Sequence, residues 1–186
     1  MSLCVQQLRC AEIKPKSKDY KLIRNATLDD IPRISEIQIC GWRFAYRGII
    51  SDYELFSERL VIKSIKATTT RFENNCDFIV YEDQTDKIIK GFVWHGVSRD
   101  DDKEVSYEIN AIYVQPEFTR TGIGKLMLNY IGQYAKDNKY NELLIWVLAG
   151  NNKGIEFYKK NEFIEDGKRK YIEKWDKEEI RMVKTI

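Results

Sequence analysis

The sequence predicts an α/β (α+β) domain of about seven strands, mostly antiparallel, and about four helices. Three observations lead there. Strand-like segments follow one another through tight turns between Asp77 and Val114. The most amphipathic stretch of the chain comes next, with Ile123, Leu126, Met127, Tyr130, Ile131 and Tyr134 at helical spacing. A continuous apolar run, ELLIWVL (Glu142 to Leu148), then reads as a strand covered on both faces. A chain of 186 residues with 43% hydrophobic positions fits one domain with a sizeable core.

Taken in order, Met1 to Lys18 mix charge with Pro15 and show no period, which predicts a loosely ordered tail ahead of a single domain over 19–186. YKLIR (Tyr20 to Arg24) alternates as a short strand. Thr27 with Asp30 three residues later, and Pro32 in the first turn, open a helix carried by Ile31, Ile34, Ile37 and Ile39 to about Tyr46. Gly48 ends it, and Ser51 with Glu54 caps a second helix. DFIVYE, KIIKGFVWHGV and VSYEINAIYV form the meander, Pro116 ends its last strand, and a short helix around Ile155 to Lys160 precedes two closing strands, FIEDG and EEIRMVK.

Composition narrows the function. Thirty-one basic against twenty-nine acidic residues leave a net charge of +2, too little for a dedicated phosphate-backbone binder, so no nucleic acid is expected. No segment approaches the roughly 18 apolar residues of a membrane span, and MSLCVQQLRC lacks the pattern of a secretory leader. Cys4, Cys10, Cys40 and Cys76 form no CxxC pair, and a domain of this size needs no disulfides, which points to a reducing cytoplasm. A single histidine, His95, excludes a multi-histidine metal site, and Asp100 to Asp102 read as a solvated turn; no metal is expected.

QPEFTRTGIGKL (Gln115 to Leu126) runs from a strand directly into the amphipathic helix. Exposed N–H groups and the positive end of the helix dipole make such a junction an anion site, with Arg120 and Lys125 adding charge. It is not a P-loop, because Lys125 is followed by Leu126 rather than Ser or Thr, and Met127 stands where the dinucleotide fingerprint needs a third glycine. An ATP- or GTP-dependent phosphotransfer protein is therefore disfavoured.

The order of a strand bearing Glu108, the loop TRTGIGKL, a helix, ELLIWVL, Asn151 and then EFYKKNEF resembles the GNAT superfamily of acyl-CoA-dependent N-acyltransferases, over nearly everything from Tyr20 onward. Gly122 and Gly124 match the family's loop, with Thr119 at its leading Gln/Arg position; Asn151 and Tyr158 match its second signature, with Gly154 replacing Ala and Glu162 replacing the Gly before Phe163. The resemblance implies a mixed, mostly antiparallel central sheet splayed between the fourth and fifth strands, and acetyl-CoA as co-substrate. Its pantetheine arm would pair with the backbone of Ile112, Tyr113 and Val114, and its diphosphate would lie on Thr119, Arg120, Thr121, Gly122, Ile123, Gly124 and Lys125. Asn151 would bond the pantetheine and Tyr158 would lie near the thioester sulfur.

An acceptor amine with pKa near 10.4 costs about 4 to 5 kcal/mol to deprotonate at pH 7. A base is therefore useful, and by the resemblance Glu108 is the candidate; strict alternation would place it on one face with Asn110, Ile112 and Val114. Tyr158 is the expected donor to the departing thiolate. WRFAYRGIIS resembles the family's segment between the first two helices, which borders the acceptor site, so that Trp42, Tyr46 and Arg47 either floor the acceptor pocket or pack the first helix. The expectation is acetyl transfer to a primary amine, small or protein-borne, by direct attack in a ternary complex, from a monomer or homodimer; the alternative is a non-catalytic acyl-CoA-binding module.

Overall fold

The computed structural model describes residues 18–186, so the predicted tail lies, up to residue 17, outside the described residues. Seven strands form one sheet: β1 (Ile23–Asn25), β2 (Asp77–Glu82), β3 (Ile89–Val97), β4 (Ser106–Val114), β5 (Glu142–Leu148), β6 (Ile164–Ile172) and β7 (Lys177–Thr185). Their spatial order is β1-β2-β3-β4-β5-β7-β6. Every neighbouring pair is antiparallel except β4 and β5. The helices are α1 (Ile31–Tyr46), α2 (Asp52–Phe56), α3 (Glu58–Glu73), α4 (Ile123–Asp137) and α5 (Asn152–Lys160).

Two predicted elements differ. The first strand begins at Ile23 rather than Tyr20, because residues 18–22 form a 3-10 turn whose Tyr20 ring packs edge-on against Tyr130 at 5.3 Å. The second N-terminal helix is two helices, since Ser57 takes an extended conformation (φ −64°, ψ 144°) that breaks the path between α2 and α3. The other N-terminal signals act as expected. Asp30 accepts the Thr27 N–H at 2.7 Å, and the Ser51 hydroxyl accepts the Glu54 N–H at 3.4 Å.

The sheet is covered on both sides. Val93, Ile109, Leu143, Ile145 and Val147 meet α4 through Met127 and Ile131, while Phe78, Val80 and Phe92 meet α1 through Ile34 and Ile37. β4 and β5 pair only from Ser106 to Glu108 against Glu142 to Leu144, and then diverge. This opens a V-shaped cleft between the second halves of the two strands, the splay expected from the resemblance.

A bulge in β4 corrects the predicted alternation. His95 pairs with Ile109 and the adjacent Trp94 with Ala111, which leaves Asn110 as the extra residue. Beyond it the faces exchange. Tyr107, Ile109, Ile112 and Val114 face α4, whereas Glu108, Ala111 and Tyr113 face α1. Glu108 therefore lies opposite to Ile112 and Val114, and the Tyr113 side chain enters the side of the cleft that Glu108 occupies.

Candidate active site

The donor side is assembled from β4, α4 and α5. Gln115 N–H donates to the Lys90 carbonyl at 2.9 Å. Backbone groups of successive strand residues point to opposite edges, so those of Ile112 and Val114 point away from β3 into the cleft. The strand then passes through a 3-10 turn at Pro116–Phe118 into the glycine loop. Thr119 and Thr121 turn their hydroxyls back onto the Pro116 and Phe118 carbonyls, at 2.8 and 2.7 Å. Arg120 (φ 64°) and Gly122 (φ 91°) are both left-handed. Leu126 N–H makes the first α4 bond, to the Gly122 carbonyl, which leaves the N–H groups of Ile123, Gly124 and Lys125 as outward-pointing donors. An extended edge running into a cluster of free N–H groups suits a chain-like ligand that ends in phosphates.

α5 closes the donor side. Asn151 caps it, its side-chain oxygen accepting the Gly154 N–H at 3.1 Å. Tyr158 is buried beside Phe157 and Phe163, and its phenol is in electrostatic reach of Tyr46 and Tyr113. The hydroxyls of Tyr46 and Tyr113 lie 3.3 Å apart. Burial drives all three phenol pKa values upward, so each stays protonated across the neutral range.

Trp42 and Tyr46 of α1, which the resemblance sets near an acceptor, cluster with Trp175 from the turn before β7; Trp42 meets both other rings edge-on, at 5.6 and 5.4 Å. Arg47 departs from this group: it is exposed, with its guanidinium 5.8 Å from the Phe56 ring centre. It borders an open pocket of about 550 Å³ formed by residues 47–52. Glu108 is buried at 2% exposure and is not free. Its oxygens accept both Arg99 guanidinium bonds, at 2.6 and 3.1 Å, and the Arg99 N–H at 3.2 Å.

The sequence model of the Acetyltransferase (GNAT) domain matches residues 74–165, the span that holds the meander, the glycine loop, β5 and α5. An uncharacterized N-acetyltransferase of Methanocaldococcus jannaschii is 32% identical over 88% of this chain and 66% of its own. The chain belongs to the GNAT superfamily. Another GNAT relative, named a spermidine N(1)-acetyltransferase of Thermoplasma acidophilum, is 26% identical over 77% of this chain and 89% of its own. Among solved structures, the PaiA N-acetyltransferase of Thermoplasma acidophilum in complex with coenzyme A superposes with a TM-score of 0.66 at 23% identity, over 88% of this chain and 98% of that one.

The departures from the GNAT pattern have local explanations. With Gly154 in place of Ala, the folded-back Asn151 amide can lie over the first turn, where a Cβ would stand 2.5 Å from Asn Nδ2. Glu162, in place of Gly, sits at φ 69° just past the end of α5, where glycine is ordinarily favoured. Thr119 keeps its side chain on the loop itself, so the anion-facing groups there are main-chain N–H.

Three side chains around the cleft are not signalled by the sequence. For Tyr113 the resemblance implies a backbone role only, because the bulge that turns its ring toward Tyr46 leaves no mark in the periodicity. Trp175 and Glu179 lie in the charge-rich C-terminal segment, for which the sequence signals only two closing strands. Asp100 to Asp102 lie in the expected solvated turn, with Asp101 and Asp102 exposed, and Asp100 and Asp102 together with Asp166 also bind Arg181, which is only 4% exposed, at 2.7 to 3.0 Å. Trp146 N–H adds a 3.0 Å bond to Asp100. His95 lies in the core, with Nδ1 2.8 Å from the Tyr107 hydroxyl.

Proposed function

We propose that this GNAT protein is an acetyl-CoA-dependent N-acetyltransferase that moves an acetyl group to a primary amine by direct attack in a ternary complex. The observation that carries this reading is the unpaired edge of β4 at Ile112 and Val114, continuous with the outward N–H groups of Ile123 to Lys125. In this reading the edge holds the pantetheine amides, the loop and Arg120 hold the diphosphate, and the remaining Asn151 amide donors contact the pantetheine. The co-substrate supplies an activated thioester, so no covalent enzyme intermediate is needed.

Tyr158 is the donor to the departing sulfur. Its raised pKa makes it a hydrogen-bond donor that stays protonated rather than an acid that gives its proton away. A backbone N–H of β4, that of Val114, meets the oxyanion. Glu108, expected as the general base, has its oxygens taken up by Arg99. It thereby anchors the β3–β4 connection, and the proton acceptor has to be sought elsewhere on the cleft.

Calorimetric titration with acetyl-CoA tests the reading, with ATP plus Mg²⁺ as the parallel control. Micromolar or tighter binding of acetyl-CoA alone, about −8 kcal/mol, is expected. Absence of acetyl-CoA binding would sink the proposal.

A further inference from the structure

Glu179 is set apart from the other acidic residues of the cleft. It pairs with Leu148, the last residue of β5, and directly opposed residues share a face of the sheet. Leu148 packs with Ile50 and Leu55, and against Trp42, Tyr46 and Trp175. The Glu179 side chain is thereby delivered to the aromatic acceptor side at the open end of the cleft. It is half-buried, and among the described residues no hydrogen bond or ion pair takes up its carboxylate. Glu108 is held by Arg99, and Glu178, its neighbour on β7, is paired with Arg169 at 3.0 Å.

We propose that Glu179 receives the acceptor as an alkylammonium ion between its carboxylate and the faces of Trp42, Tyr46 and Trp175, and takes the proton that frees the nucleophile. A carboxylate beside aromatic faces is the pairing that a primary ammonium group favours over an anionic or neutral ligand. Burial holds the carboxyl above its usual pKa, with Lys170 and Arg99 opposing and Glu108 reinforcing that shift. These three groups and the Tyr46 phenol are the titratable neighbours that reach it.

The ammonium gives one proton to Glu179, and the freed lone pair forms the C–N bond at the thioester carbonyl. The C–S bond breaks, its electron pair leaving on sulfur, which the Tyr158 hydroxyl bonds. The second nitrogen proton then goes to the thiolate. The products are the N-acetyl amide and free CoA thiol, and Glu179 returns its proton to solvent.

This assignment rests on the acetyltransferase reading, so the experiment separates the two. Acetyl-CoA affinity is measured for the wild type, Glu179→Gln and Glu178→Gln, and initial rates are measured with spermidine, n-butylamine and glycine as probe acceptors. Glu179→Gln should bind acetyl-CoA within about threefold of wild type yet lose about 100-fold in kcat/KM for spermidine and n-butylamine at pH 7. Glu178→Gln should match the wild type, and glycine should be the poorest probe.

The deficit should shrink between pH 7 and 10. Only about 1 in 2,500 molecules of an amine with pKa 10.4 is free base at pH 7, and that fraction rises without help from the enzyme. In ¹³C-carboxyl NMR, spermidine should shift the resonance that is missing from Glu179→Gln. Failure of every form to bind acetyl-CoA would overturn the acetyltransferase reading itself. Binding with no acetylation of any probe by any form would favour a non-catalytic acyl-CoA-binding module and overturn both readings, whereas a Glu179→Gln rate within threefold of wild type, a pH-independent deficit, or an unmoved Glu179 resonance would each overturn the role of Glu179 alone.

Discussion

At the scale of single residues, chemistry here depends on which polar groups are already engaged. Tyr158 of α5 is buried, stays protonated, and is in electrostatic reach of Tyr46 and Tyr113. Tyr158→Phe should lower kcat about 100-fold while leaving acetyl-CoA affinity within about threefold, as read by steady-state rates alongside calorimetry. A loss confined to affinity would instead make Tyr158 a packing residue. Asn151 and Tyr158 stand out in the sequence as candidates through the family's signature, and the glycine loop because its glycines adjoin a helix start. Glu179 does not, since Glu178 and Glu179 look alike in composition and only pairing with Leu148 tells which one faces the cleft.

At the scale of elements, the strands and the principal helices followed from period and caps, and the misses came from backbone irregularities. The Asn110 bulge reverses the phase of β4 by adding one residue against β3, and the extended Ser57, N-cap of α3, divides a helix. Two substitutions test such contacts. Glu162 occupies a left-handed position that costs an L-residue more than glycine, so Glu162→Gly should raise Tm by about 2 to 4 °C in a thermal melt. Gly41 faces Tyr113 so closely that an added Cβ would stand 2.5 Å from its ring. Gly41→Ala should therefore destabilise by about 1 to 3 kcal/mol in urea unfolding and should slow turnover, because the ring that must move is the partner of Tyr46.

At the scale of the whole molecule, the fold carries a buried histidine with one ring nitrogen, Nε2, unpartnered. Burial lowers the His95 pKa from 6.5 to about 3. The unfolded chain binds this proton near pH 6.5 while the folded chain excludes it, so the contribution is complete above pH 6.5 and is lost as pH falls toward 3. Stability should decline by about 1.4 kcal/mol per pH unit within that window from this residue alone, and His95→Gln should flatten the slope in urea titrations at a series of pH values. The topology carries a further consequence, one of timing. β7 follows β6 in the chain yet lies inside it in the sheet, so β6, with eight of its nine residues exposed, has no place until β7 docks on β5. The donor half of the cleft is complete in sequence by Tyr158, whereas Trp175, Glu179 and the Arg181 clasp all arrive with that last hairpin. During refolding, the competence to hold a donor should therefore precede the competence to receive an acceptor.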